Sequence, residues 1–117
     1  MTADTAEIDA DTIRRTYQAV LYASGALPAE KRKQLRDLLR GHVQLLLPEV
    51  AAYKPRMRGE YQRTTAHVTT RAHRLLAKKD ADGWELAIQC RALLTLYQHP
   101  GPLDEQSAED DVTESRS

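Results

Sequence analysis

Between Pro48 and Lys79 apolar or weakly polar side chains recur every third or fourth position: Val50, Tyr53, Met57, Tyr61, Thr64, Val68, Ala72 and Leu75. On an α-helix such positions form one stripe facing a core. The pattern therefore predicts a single long amphipathic helix here, helix 3. One residue earlier in phase run Arg56, Glu60, Arg63, His67, Arg71, Arg74 and Lys78, which the same period gathers along a neighbouring face. Pro55 disturbs the pattern. A proline inside a helix costs on the order of 3 kcal/mol and disfavours helical geometry at the residue before it. A kink or a short turn is expected near Lys54, with the same face inward on both sides.

Three further helices follow from the same reasoning. Helix 1 starts near Asp9 or Asp11, either of which can cap free backbone N–H groups. It turns Ile13, Tyr17, Val20, Leu21 and Ser24 inward and stops at Gly25, a residue that tolerates left-handed geometry. Helix 2 opens at Leu27-Pro28, with proline in the first turn where its missing N–H costs nothing. Its inward stripe is Leu35, Leu38, Leu39, His42, Val43 and Leu46, with Lys31, Arg32, Lys33, Arg36 and Arg40 largely off it. Gly41 weakens its middle. Pro48 breaks the hydrogen-bonding ladder, so the turn into helix 3 is expected at Leu47-Pro48. Asp82 and Glu85 have the spacing of a capping box and open helix 4, WELAIQCRALLTLYQH. Its apolar face, Leu86, Ala87, Cys90, Leu93, Leu94 and Tyr97, is widened by Ile88 and Leu96, making it the most buried helix. Pro100-Gly101-Pro102 ends it.

The expected fold class is therefore all-α: an antiparallel four-helix bundle whose long third helix overhangs helix 1. Residues 11–99 form the bundle, residues 1–10 a flexible acidic N-terminus, and residues 100–117 a disordered acidic tail too polar to repay its ordering entropy.

Composition supports this and adds a charge asymmetry. The 117-residue chain lacks Phe, and its apolar mass is mostly Leu and Ala, which suit helices better than strands. Net charge is zero, yet Lys54 to Lys79 carries eight basic residues against the one acid Glu60. Beyond Pro100 six acids face only Arg116. Cys90 is the sole cysteine, which excludes an intramolecular disulfide and a multi-cysteine metal site. The N-terminal residues lack the basic and apolar regions of a secretory signal, and no apolar run has the length of a membrane span. A cytoplasmic setting without membrane partners is expected.

The phrases LLRGHVQLLLPEV, MRGEYQRTTAHV, RAHRLL and CRALLTLYQHPGPL together resemble a family of small actinobacterial proteins of unknown function, DUF6415, associated with natural-product biosynthesis. The resemblance runs from about Asp11 to Leu103. It implies a bacterial cytoplasmic accessory protein linked to specialised metabolism and supplies no catalytic residues. The chain departs from the family pattern at Pro55, where a good helix former is expected.

Candidate chemistry is sparse. The basic stripe, with Arg56, Arg63, His67, Arg71, Arg74 and Lys78 as the candidate interaction face, could neutralise phosphates in a salt-dependent, sequence-independent way. The simpler reading is a solvated face or one paired with acids of the bundle and tail, because nucleic-acid binders are usually basic as whole domains. The histidines, His42, His67, His73 and His99, have no metal-ligand spacing, and no metal or cofactor is expected. His42 lies on an apolar face and reads as a hydrogen-bonded core residue. Arg36 and His42 match the spacing of an Arg–His ribonuclease pair, a match expected by chance in a chain this rich in both. Cys90 reads as inert packing. Trp84 reads as a core or edge anchor. Tyr17, Tyr61 and Tyr97 read as core residues that with His42 could line a small interhelical pocket.

The leading expectation is a non-enzymatic accessory or regulatory protein acting through protein contacts, with a homodimer favoured by an exposed apolar strip on helix 3. The alternative is a nucleic-acid-binding regulator using the basic face, with the tail competing for it. A third reading is a small-molecule binder or enzyme with an interhelical pocket.

Overall fold

Asp9 opens the first helix. Its carboxylate accepts from the backbone N–H of Thr12 at 3.2 Å and from the Thr12 hydroxyl at 2.8 Å, satisfying amides that the first turn leaves without partners. These bonds, the side-chain one foremost, hold the Asp9 carboxyl below its ordinary value. The computed structural model describes residues 8–23 and 25–103. Within these, helix α1 spans Ala10–Leu21, α2 Ala29–Tyr53, α3 Gly59–Ala77 and α4 Gly83–Gln98, with a single 3₁₀ turn at Lys54–Arg56 between α2 and α3. The arrangement is an all-α four-helix bundle with no strand among the described residues, consistent with antiparallel order. The acidic tail beyond Leu103, Ser24 and the first seven residues lie outside the described residues.

Helices α2 and α4 form the central pair, and α1 and α3 each pack against both. The core is the apolar face of α4 (Leu86, Ala87, Cys90, Leu93 and Leu94) meeting Leu39, Val43, Leu46, Leu47 and Val50 of α2 and Ile13 and Tyr17 of α1. Burial of these branched side chains is the main favourable term in holding the bundle. Tyr53 stacks on Tyr97, ring centroids 6.2 Å apart, and closes the end of the α2–α4 seam.

The structure moves the boundary between the second and third helices. The expected turn at Leu47-Pro48 is absent: α2 runs 25 residues straight through Pro48. Proline there removes the hydrogen bond to the Gln44 carbonyl, but Gln44 and Pro48 are both exposed, so water can serve that carbonyl. Leu46, Leu47 and Val50 are buried on the opposite side, and their packing carries the helix across. The chain breaks at Pro55, where a kink or short turn near Lys54 was expected. Lys54 donates to Ala51 in 3₁₀ fashion, Met57 donates to Lys54 at 3.1 Å, and Met57 and Arg58 are extended before Gly59 enters α3 at φ 53°. The long helix is α2, not the third.

Because the chain is broken, the apolar phase carries only in part from α2 into α3. The buried residues of α3 are Thr65, Thr69, Ala72 and Leu75; Ala72 and Leu75 belong to the predicted stripe, whereas the predicted Tyr61 and Thr64 are exposed and Val68 is half-buried. The two threonines satisfy their hydroxyls locally, Thr65 donating to Met57 Sδ at 2.9 Å and Thr69 to the Ala66 carbonyl at 3.1 Å. Three smaller expectations also fail. Leu38 points outward, 51% exposed. Gly25 does not stop helix 1, which ends at Leu21 once its core contacts are spent; positive φ is confined to Gly59 and Gly101 among the described residues. Asp82 does precede α4, but its side chain makes no capping hydrogen bond.

Arg40 of α2 finishes α3. Its guanidinium donates to the Leu76 carbonyl at 2.9 Å and to those of Lys78 and Lys79, meeting the negative end of the helix dipole and its unpaired acceptors. At the other end of α3, the chain after α4 folds over Tyr61. A Cβ on Gly101, at φ 80°, would sit 2.7 Å from that ring, so any other residue would strain the backbone and push the Tyr61 ring aside.

Candidate functional site

The outer face of α3 is set by the side it buries. Successive residues turn by 100°, so with Thr65, Thr69, Ala72 and Leu75 inward, Arg63, His67, Thr70 and Arg74 point away from the core. Arg63, Ala66, His67, Thr70, Arg71 and Arg74 line an open trough of about 460 Å³ along this face. The short side chains of Ala66 and Thr70 form its floor, and the long basic ones its walls. Arg63 reaches Glu60 only at 4.0 Å, with both side chains largely exposed, and such a pair holds little of its charge back.

Of the predicted interaction residues, the structure therefore brings together Arg63, His67, Arg71 and Arg74. Arg56 and Lys78 do not line the trough. Arg56 belongs to the 3₁₀ turn before α3 and is half-buried. Lys78 follows the last helical residue, with its carbonyl taken by Arg40. The floor residues Ala66 and Thr70 were not expected, although their spacing of four within the basic stripe is a legible signal for a trough.

The tyrosine-lined pocket imagined around His42 does not form: Tyr61 is exposed, and Tyr97 stacks on Tyr53. His42 is half-buried, with Nε2 3.3 Å from the Thr16 hydroxyl. Since Thr16 donates its own proton to the Thr12 carbonyl at 2.8 Å, its oxygen accepts, and His42 Nε2–H donates. Burial lowers the imidazole's pKa, opposed by the Asp9 charge. Arg36 is turned elsewhere, into a cleft beside Gly83 and Trp84, so Arg36 and His42 do not form a catalytic pair. Burial pushes the Cys90 thiol up to about 12, leaving it protonated near neutrality and a poor nucleophile.

The cleft at the opposite end of α2 was not foreseen. Val20 of α1, Leu27, and Arg32, Lys33 and Arg36 of α2 meet Asp82, Gly83 and Trp84 at the start of α4 around a space of about 370 Å³. Trp84 is 50% exposed there, so it is an edge residue. Among the described residues no group of three His, Cys, Asp or Glu side chains is placed to hold a metal ion, and no helix is long and apolar enough to cross a membrane.

The family of unknown function DUF6415 matches residues 11–102, most of the 117-residue chain. The chain belongs to DUF6415. The match runs from the first turn of α1 to the glycine-bearing segment over Tyr61, so the DUF6415 region takes in all four helices, the break at Pro55 and both surfaces described above. No curated protein and no solved structure matches the chain.

Proposed function

We propose that this DUF6415 protein is a non-enzymatic accessory or regulatory protein that docks an acidic protein segment on the outer face of α3. The observation that carries the reading is the trough. Three arginines and a histidine stand around a floor of Ala66 and Thr70, and small residues at helical spacing let another helix approach closely while the flanking cations pair with its carboxylates. The setting we assign is actinobacterial natural-product biosynthesis in the cytoplasm, which rests on the sequence resemblance. A homodimer belongs to the same proposal.

The competing reading, a nucleic-acid-binding regulator, uses the same side chains. Arg63 to Arg74 spans only about 16 Å at 1.5 Å per residue, and three arginines would give a salt slope of roughly −2.7. That is a small electrostatic anchor for a polymer and an adequate one for a single acidic helix.

The test is a pull-down from native cytoplasm comparing the wild type with the triple variant Arg63→Glu, Arg71→Glu, Arg74→Glu, with nuclease in parallel. All three side chains are exposed, so the variant is expected to keep its helical circular dichroism. Capture of a protein partner that survives nuclease and disappears in the variant is the expected result. Capture of nucleic acid alone, lost on charge reversal, would replace this reading with the regulator.

A further inference from the structure

We propose that the cleft between α1, α2 and α4 binds a small organic phosphate, a phosphomonoester carried on a planar aromatic body. Arg32 and Arg36 sit one turn apart on α2, where like charges repel. Neither has an ion-pair partner among the described residues, while Lys33 pairs with Asp37 at 3.3 Å. Counting Lys33, whose exposed pairing with Asp37 holds little of its charge back, against the Asp82 carboxylate as the lone acid on the cleft wall, the lining carries a surplus of two positive charges. That surplus matches a phosphate dianion better than a carboxylate, and guanidinium forks suit phosphate geometry.

The rest of the wall selects the body of the ligand. Val20 and Leu27 give one apolar side. Trp84, half exposed on the rim, presents an indole face on which a planar ring can stack. The volume of about 370 Å³ falls in the range of small-molecule sites and suits a one- or two-ring phosphomonoester. The first turn of α4 adds to the charge match. Asp82 makes no side-chain hydrogen bond onto it, so its amides keep no side-chain acceptor. None of these residues lies on α3, so the site is independent of the docking face.

Trp84 is the only tryptophan in the chain, so its emission reports this cleft directly. The experiment titrates the full chain with phenyl phosphate, inorganic phosphate, benzoate and phenol at fixed ionic strength, following tryptophan fluorescence and, independently, calorimetric heat. Phenyl phosphate is expected to saturate the signal and to bind about tenfold or more tighter than each of the other three. Arg32→Gln and Arg36→Gln are each expected to weaken it by about tenfold, with Lys31→Gln as a control that leaves it unchanged. Arg32 is exposed, so its variant tests the site even if Arg36→Gln perturbs folding. Absence of saturation, equal binding of inorganic phosphate, or wild-type affinity in Arg32→Gln would each overturn the proposal.

Discussion

His42 shows what a single polar residue contributes when it is placed on an apolar face. Its ring donates to Thr16 and is half-buried against α1, and that burial favours the neutral imidazole. Burial is the main cause of the lowered pKa. Below the ordinary value of 6.5 the unfolded chain therefore binds a proton at His42 that the folded chain refuses. Stability is fully present above pH 6.5 and is lost as pH falls towards the folded pKa. Urea midpoints measured from pH 7.5 down to 5 should fall more steeply for the wild type than for His42→Gln, the two slopes converging above pH 7. Equal slopes throughout would show that His42 does not titrate with folding. The apolar setting of His42 and of Cys90 was readable from spacing alone, since each occurs where the helical period puts an inward position. The Thr16 partner was not, because it lies 26 residues away.

At the scale of the element, the two prolines of the α2–α3 region carry the lesson. Both remove a backbone donor, yet Pro48 is absorbed and Pro55 ends a helix. Around Pro48 three buried side chains hold α2 in place. After Pro55 only Met57 is buried before α3 begins, so packing cannot offset the lost bond. Pro48→Ala restores an N–H to the Gln44 carbonyl and is expected to raise stability by about 1–2 kcal/mol, part of the roughly 3 kcal/mol a helix-interior proline costs. Urea unfolding measures it, and a midpoint unchanged or lowered would mean that the missing bond is already fully served by solvent. Local propensity marks both prolines as breakers, and only the neighbours brought in by the fold separate them. The phase error in α3 has the same origin: a stripe extrapolated through a break inherits an orientation the second helix does not share.

On the scale of the whole molecule, one side chain ties the end of α3 to the middle of α2. Arg40 donates to three carbonyls at the α3 C-terminus. Arg40→Ala is expected to cost about 1–2 kcal/mol, the worth of charge-assisted bonds that are partly exposed. Arg40→Lys should recover only part of it, because an ammonium cannot spread across several acceptors as a guanidinium fork does. Urea unfolding of the pair gives the answer, and wild-type stability in Arg40→Lys would reduce the contact to simple charge. By itself the sequence determined the all-α class, the capped start of α1, the buried face of α4 and the cationic run on α3. These depend on side-chain period, capping chemistry and charge within a turn or two of chain. The sequence also marked the break near Lys54 and the buried Ala72 and Leu75, but tertiary structure alone decided that α2 runs through Pro48, that Thr65 and Thr69 complete the buried face of α3, and that Val20, Arg36 and Trp84 share one cleft. Those outcomes depend on burial against partners distant in sequence, whose packing energies exceed the local preferences they override.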